Sequence, residues 1–181
     1  MIMSDSSKQH KSKAAKTLIF GVFICSTSRF KEVEAGNKLV SDVGGDMAVE
    51  LIAKAGHKVL FKKIIADDET QIQDAVMYVL GLPELDVAIF SGGTGITPTD
   101  ITIETVTPFF DKTLPGFGEF FRRISYDKVG SAAVLSRANA GVAKEKAIFC
   151  IPGSPDAVRT SVEMLILPEA PHIVKHAREQ R

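Results

Sequence analysis

DVAIFSGGTGITPTD, residues 86–100, runs from a buried strand into a glycine-rich loop and decides the fold of the chain. The apolar run at 87–90 breaks at Ser91, and three glycines, a threonine and finally Asp100 follow. A short, continuous apolar run bounded by turn residues is typical of a strand that is covered on both faces of a parallel sheet. The loop behind it serves either as a tight turn or as a seat for a phosphorylated ligand.

Strands of this kind alternate with helical patterns along the rest of the chain. Strand–helix alternation with short linkers predicts a mainly parallel sheet with helices on both faces. The fold class is therefore α/β: a three-layer α/β/α sandwich with a Rossmann-like sheet. The predicted strands are TLIFGVFIC (17–25), KVLFKKII (58–65), VAIFS (87–91), AAVLS (132–136) and AIFCI (147–151).

The helical segments are placed by their apolar spacing and their capping residues. One stripe, interrupted at Gly44 and Gly45, predicts a helix through Leu39, Val43, Met47, Leu51 and Ala55. A second helix begins at Asp68, and further helices are expected at about 101–112, 115–126 and 155–167. Pro168 and Pro171 are expected to end the last of these before a short amphipathic segment.

Composition limits the classes of function. Lysine and arginine total 22, as do aspartate and glutamate, so no net field draws the protein to nucleic acid or to a membrane. Two cysteines make no disulfide framework, and no apolar run reaches the roughly 20 residues of a membrane span. We expect a cytoplasmic protein with a flexible tail at 1–16 and a single domain at 17–181.

Five loops should meet at one rim of the sheet. In a parallel sheet, ligands bind beyond the carboxyl ends of the strands. The loops at those ends carry STSR, ADDE, SGGTG, SRANAG and PGSPD in chain order. Glycines, hydroxyls, an arginine and several acids at one rim suit a phosphorylated, metal-bridged ligand.

Each of these residues also has a purely structural interpretation. The glycine loop favours backbone N–H groups that cradle an anion, but glycines favour a strand-to-helix turn as well. Asp100 either approaches a metal between phosphates or caps a helix that starts at Thr97, with Pro98 in its first position. Asp68 reads as a helix cap, which leaves Asp67 as the freer acid. Arg137 fits either an anion clamp or a surface ion pair.

Covalent catalysis is disfavoured by what the sequence contains. No G-x-S-x-G elbow occurs, and Cys25 and Cys150 end apolar runs, where small buried thiols are common. His172 and His176 lie four residues apart, a spacing that suits a metal on one helix face. With no third ligand nearby in the sequence, a solvated helix face is the favoured interpretation.

Four ordered motifs resemble those of the MoaB/MogA family of molybdenum cofactor biosynthesis proteins, with the MoaB branch the more similar. They are SGGTGITPTD, PGFGEFFRRIS, LSRANAGV and IFCIPGSPDAVR, and the resemblance covers about residues 17–168. It implies a homo-oligomer, a trimer or a hexamer. It also implies adenylylation of molybdopterin by Mg²⁺-ATP, which yields adenylyl-molybdopterin and pyrophosphate. The alternative it leaves open is a molybdopterin-binding protein of the same pathway without this activity.

The resemblance also assigns roles to individual residues. It implies that Asp67 and Asp100 hold Mg²⁺ and support catalysis, while ATP serves as co-substrate. Thr99 stands where the MogA branch tends to carry an arginine. The implied nucleotide and pterin site comprises Gly92, Gly93, Thr94 and Gly95, together with Ser26, Ser136, Arg137, Pro152, Gly153 and Ser154.

Overall fold

The computed structural model describes residues 17–37 and 39–179, so the tail predicted at 1–16 lies outside the described residues. Its centre is a six-stranded sheet in the order β2-β1-β3-β6-β5-β4. The strands are β1 (Ile19–Cys25), β2 (Lys58–Ile65), β3 (Val87–Ser91), β4 (Lys112–Thr113), β5 (Asn139–Ala143) and β6 (Lys146–Ile151). The helices are α1 (Thr27–Glu34), α2 (Val43–Lys54), α3 (Glu69–Gly81), α4 (Thr102–Val106), α5 (Pro115–Val129), α6 (Pro155–Ser161) and α7 (Leu167–Ala177).

Strands β2, β1, β3 and β6 are parallel, and β5 and β4 extend the sheet as antiparallel strands. Apolar side chains cover both faces of the sheet. One cluster joins β1 and β3 to α2, α6 and α7, and the other joins the same strands to α3 and α4. The α/β/α sandwich with a mainly parallel sheet is thus confirmed, and the carboxyl ends of β1, β2, β3 and β6 meet at one rim.

The strand predicted at 132–136 is wrong. Residues Gly130–Leu135 form a 3₁₀ helix, and the strand that follows is β5, further along the chain. Its sequence, NAGVA, is poor in large apolar residues because Phe110 packs over Gly141, where a Cβ would overlap the aromatic ring. A tight turn through Lys144 and Glu145, both with positive φ, then leads into β6.

The helix predicted at 101–112 is shorter than expected. It ends at Val106, a 3₁₀ turn covers Thr107–Phe109, and Lys112–Thr113 pair with β5 as strand β4. Helix α1 was not predicted, since its residues show no apolar stripe and none of them is buried.

Only part of the predicted stripe of α2 faces the core, where Leu51 packs against the buried cluster. Leu39 precedes the helix and is 91% exposed, and Val43 is 57% exposed. The buried face consists instead of Gly44, Gly45, Ala48 and Ile52. The two glycines do not interrupt the contact face; they form it, since a Cβ on Gly45 would lie 2.7 Å from Ile24 Cδ1 of the sheet.

The prolines at 168 and 171 do not end the last helix, contrary to expectation. Helical backbone continues from 155 to 177, with a π turn at Val162–Ile166 between α6 and α7. The extra residue of the π turn precedes Pro168, which then lies in the first turn of α7, where a missing N–H costs little. Within the described ranges, no helix is long and apolar enough to cross a membrane.

Candidate active site

A cavity of about 240 Å³ opens at the carboxyl ends of β3 and β6. It joins the glycine loop to two other segments that the sequence placed at the rim. Its lining residues are Gly93, Thr94, Gly95, Asp100, Leu135, Ser136, Pro152 and Gly153.

Gly92 brings three strand ends together at the floor of this site. Its N–H donates to the carbonyl oxygen of Ile151 at 2.9 Å, and its φ is +108°. A Cβ at this position would overlap the carbonyl oxygen of Cys25. A Cβ on Gly153 would lie 3.3 Å from Gly92 Cα. Two glycines from different loops therefore let the backbone segments approach more closely than residues with side chains would.

Gly93 lies directly against one of the predicted acids. Its φ is +59°, and a Cβ there would lie 2.6 Å from Asp67 Oδ1 and closer still to Thr102 Oγ1. The N–H of Thr102 donates to the carbonyl oxygen of Gly93 at 3.0 Å. The first turn of α4 and the loop after β2 thus pack against the glycine loop.

Asp67 is held by Thr27, the first residue of α1. Asp67 Oδ2 accepts from Thr27 N at 2.9 Å and from Thr27 Oγ1 at 3.0 Å. The other carboxylate oxygen, Oδ1, is buried and has no hydrogen-bond partner among the described residues. Asp68 caps α3 by accepting from Gln71 N, as predicted. Asp67 is therefore the acid of this pair whose carboxylate lies beside the glycine loop, with one oxygen that makes no hydrogen bond among the described residues.

Asp100 folds back on its own loop. Its Oδ2 accepts from Thr97 N at 2.9 Å and from Thr97 Oγ1 at 2.6 Å. These bonds, the Thr97 hydroxyl foremost, lower the pKa of Asp100 below its ordinary value, and the positive charge of Arg137 acts in the same direction. The carboxylate closes a turn at 97–100. Helix α4 begins only at Thr102, so the prediction that Thr97 caps a helix is wrong.

Arg137 reaches across the cavity rim to the glycine loop. Its Nε donates to the carbonyl oxygen of Thr94 at 3.3 Å, and its Nη2 donates to that of Asp100 at 3.1 Å. Both terminal nitrogens also contact the carboxylate of Glu104, Nη1 to Oε1 and Nη2 to Oε2. Arg137 thus forms the ion pair that was one of its two expected roles. Whether it also binds an anion stays a prediction.

The remaining predicted residues surround the cavity at different depths. Ser136, Pro152 and Gly153 line it. Ser154 lies one residue further on and caps α6, accepting from Ala157 N at 3.4 Å. Ser26 precedes α1, and its hydroxyl lies 3.2 Å from Ser28 Oγ. The structure thus brings the glycine loop, Ser136, Pro152, Gly153 and the two acids to one rim, whereas the side chains of Ser26 and Ser154 contact their own helices.

Three contributors were missed at the level of sequence. Thr27 orients Asp67, Thr102 supports Gly93, and Glu104 holds Arg137. Thr27 adjoins Ser26 in a loop already assigned to the rim, so proximity in sequence was a usable signal. No signal in the sequence marked Glu104, because its partner Arg137 lies 33 residues away.

Among the residues that the structure describes, both thiols are inert and no dense cluster of metal ligands occurs. Burial raises the pKa of the Cys25 thiol to about 12 and that of Cys150 well above its ordinary value, so neither forms a reactive thiolate. Across 17–37 and 39–179, no group of three or more histidine, cysteine or acidic side chains could hold a metal ion. His172 and His176 face each other at 3.1 Å between Nε2 atoms, beside a separate cavity of about 510 Å³ that is also lined by Lys112 and Lys144.

Known proteins resemble this chain over nearly its whole length. Residues 21–172 match the model of the family described as a probable molybdopterin binding domain. Molybdenum cofactor biosynthesis protein B of Bacillus subtilis is 37% identical, over 97% of this chain and 99% of its own. Molybdopterin adenylyltransferase of Pyrococcus furiosus is 42% identical, over 95% of this chain and 98% of its own. A crystal structure of a molybdenum cofactor biosynthesis protein B superposes with a TM-score of 0.83 at 41% identity, covering 93% of this chain and all of that one. The chain therefore belongs to the MoaB/MogA family of molybdenum cofactor biosynthesis proteins.

Proposed function

We propose that this protein is a molybdopterin adenylyltransferase, which transfers AMP from ATP to the terminal phosphate of molybdopterin and releases pyrophosphate. The observation that carries the proposal is the cavity at the sheet rim, where the glycine loop, Asp100 and Gly153 line one space. The buried Asp67 Oδ1 lies directly beside Gly93 at the same place. Relatives named for both the pathway and the reaction, each covering most of the chain, support the same function.

The reaction needs alignment rather than a protein nucleophile. A phosphate oxygen of molybdopterin attacks the α-phosphorus of ATP, the new P–O bond forms, and the bond between the α-phosphorus and the bridging oxygen breaks, so that pyrophosphate leaves. Both reactants are anions that repel each other, and the protein must hold them in line. The inert thiols of Cys25 and Cys150 fit a reaction without a covalent intermediate.

The glycine loop is the part of the site suited to the phosphates. Gly93, Thr94 and Gly95 form one wall of the cavity, and backbone at this wall is not shielded by side chains at the glycines. In the proposed complex, N–H groups of Gly93 and Thr94 donate to the α-phosphate, and the Thr94 segment is kept in place by Arg137. Pro152 and Gly153 line the same cavity, and in the proposed complex the second substrate lies against them.

Mg²⁺ is the metal that this chemistry implies, and Asp67 and Asp100 are the residues that would hold it. The donor set fits: Mg²⁺ prefers one or two carboxylates together with phosphate oxygens and water. Asp67 Oδ1 is buried without a hydrogen-bond partner in the described chain, as expected for an oxygen that binds a cation in the complex. When bound, the ion offsets negative charge on the phosphates of ATP. The low pKa of Asp100 keeps its carboxylate ionised at neutral pH.

We further propose that the protein acts in the cytoplasm as a homotrimer or hexamer, without nucleic-acid or membrane partners. The balance of 22 basic and 22 acidic residues supports the latter point, since it provides no net attraction to polyanions. Large apolar side chains that remain exposed on the single chain, among them Phe120 and Met164, support self-association.

The test is product formation from molybdopterin and Mg²⁺-ATP, followed as pyrophosphate release and adenylyl-pterin. Asp67→Asn and Asp100→Asn should each lower kcat/KM at least ~100-fold, equal to about 2.7 kcal/mol of barrier. Asp68→Asn is the matched control, because asparagine caps a helix as well as aspartate does and Asp68 is the cap of α3. A wild-type protein that binds the pterin but forms no product would instead identify a binding protein of the pathway.

A further inference from the structure

We propose that Glu104 is a positioning residue of the transfer reaction, acting through Arg137 to hold the loop between Thr94 and Asp100. The inference rests on the proposed adenylyltransferase function. It assigns a role to a side chain that does not line the cavity. Glu104 lies on α4, one turn after the loop that carries Asp100.

The guanidinium of Arg137 joins the two ends of one loop. Arg137 donates to the carbonyl oxygens of Thr94 and Asp100, at 3.3 Å and 3.1 Å. These two carbonyls mark the beginning and the end of one loop, so a single planar group ties both ends together. That loop carries the cavity-lining residues Thr94 and Gly95 at one end and the acid Asp100 at the other. The position of the guanidinium therefore fixes the distance between the two functional parts of the loop.

Glu104 fixes the orientation of this guanidinium. Each of its terminal nitrogens contacts one oxygen of the Glu104 carboxylate, the two-pronged arrangement that best defines the plane of an arginine. The backbone carbonyls are neutral, so Glu104 supplies the negative charge in this set. The Arg137 side chain also lowers the pKa of Glu104, together with its hydrogen bond, so the carboxylate is charged at neutral pH.

The substrate phosphates would attract the guanidinium of Arg137 if Glu104 did not hold it. Arg137 lies at the rim of a cavity proposed to receive two phosphorylated molecules, and a freely rotating guanidinium there would turn toward them. With its terminal nitrogens on Glu104, Arg137 instead continues to brace the loop. Glu104 thus keeps Arg137 bound to the loop. Removing Glu104 should therefore disturb the alignment of the reacting groups and leave the affinity for ATP largely unchanged.

The experiment measures kcat and KM separately for Glu104→Ala, Glu104→Gln and Arg137→Ala, with melting temperatures for each. Glu163→Ala is the matched control: Glu163 is 54% exposed against 52% for Glu104 and pairs with Arg159, away from the cavity. We expect Glu104→Ala to lower kcat at least ~10-fold with KM for ATP changed less than ~3-fold. Glu104→Gln keeps an acceptor for Arg137 and should recover part of that loss.

The double variant Glu104→Ala/Arg137→Ala separates a shared role from two independent ones. If Glu104 acts only through Arg137, the double variant should be no slower than Arg137→Ala alone. Losses that multiply would overturn the inference, as would a kcat for Glu104→Ala equal to that of Glu163→Ala. A kcat loss that merely follows the fraction unfolded at the assay temperature would overturn it too. Failure of the wild type itself to form product would instead reject the proposed function.

Discussion

Asp100 shows how one neighbouring hydroxyl favours the ionised form of a carboxylate. The Thr97 hydroxyl and the Thr97 N–H both donate to the same oxygen of the carboxylate. These bonds favour the ionised form, so the pKa of Asp100 lies below its ordinary value. The stabilisation that they provide is present above the ordinary pKa of an aspartate, roughly 4, and is lost as the pH falls through the lowered pKa.

Replacing Thr97 by valine should therefore raise the pKa of Asp100 toward its ordinary value. The change removes the hydroxyl donor, which is the largest cause of the lowered pKa, and leaves the backbone N–H in place. The measurement is an NMR titration of the Asp100 carboxyl carbon. Thr99→Val is the control, since Thr99 Oγ1 lies 3.0 Å from the Thr97 hydroxyl and, within the described chain, its hydroxyl makes no hydrogen bond to Asp100.

The same substitution has a consequence for stability. Wild type should be more stable than Thr97→Val at neutral pH, and the difference should shrink as the pH falls from about 4 through the lowered pKa of Asp100, since the carboxylate becomes protonated in both. A difference in unfolding free energy that stays constant from pH 7 to pH 2 would contradict this assignment of the hydroxyl bond.

Residue types at the site were predictable, but their partners were not. The glycines of the loop and the freer acid, Asp67, follow from chain order and from capping rules, and the structure brings them to one rim. That Thr27 would orient Asp67, or that Glu104 would pair with Arg137, depends on segments tens of residues apart. Local patterns carry no information about such long-range pairs.

Among the elements, α2 contradicts its own apolar pattern for a packing reason. The periodicity put Leu39 and Val43 on the buried face, yet α2 meets the sheet through Gly44 and Gly45. Small residues let a helix approach a strand closely, and the apolar residues beside them then remain at the surface. A hydrophobic pattern predicts that a helix exists more reliably than it predicts which face is covered when glycines form the contact.

Gly45→Ala should therefore destabilise the protein, although alanine is the better helix former by roughly 1 kcal/mol. The new Cβ would overlap the Asp42 carboxylate and lie 2.7 Å from Ile24 Cδ1. Overpacking of this kind costs about 1–3 kcal/mol, which exceeds the gain in propensity. Urea unfolding measures the net change in the free energy of unfolding.

Gly81→Ala is the matched control in a second helix. No atom lies within 4 Å of a Cβ at that position, so only the helix propensity of the residue changes. We expect it to stabilise the protein by up to about 1 kcal/mol. If both variants changed stability in the same direction, the close approach of α2 to the sheet would not be the reason for Gly45.

The segment at 132–143 and the helix at 155–177 show where the sequence rules for strands and helix ends fail. AAVLS has the composition of a strand but forms a 3₁₀ turn, whereas NAGVA pairs with β6 because Phe110 fills the space above Gly141. Pro168 and Pro171 signal a helix end, yet the π turn before them carries the helix onward. In the first case tertiary packing outweighs the local preference, and in the second a local change in helix winding accommodates the proline.

At the scale of the whole molecule, exposed large apolar residues occur on several elements, and one group of them lies on α5 and the helix that follows β6. Phe120 on α5 is 64% exposed and lies beside a cavity of about 370 Å³, which Phe117, Leu165 and Ile173 also line. Met164, in the neighbouring π turn, is half exposed as well. Contiguous exposed apolar surface of this kind marks interaction sites. The region lies on α5 and the 155–177 helix.

We predict that the wild-type chain forms trimers or hexamers in solution and that Phe120→Glu shifts it toward the monomer. A carboxylate in the centre of an apolar contact loses its hydration without gaining a partner, which costs several kcal/mol. Light scattering coupled to size exclusion measures the mass of each. Met77→Glu is the control, because Met77 on α3 is 54% exposed on the opposite side of the sheet. A monomeric wild type would reject the predicted oligomer, whereas dissociation by Met77→Glu but not by Phe120→Glu would move the interface to the face of α3.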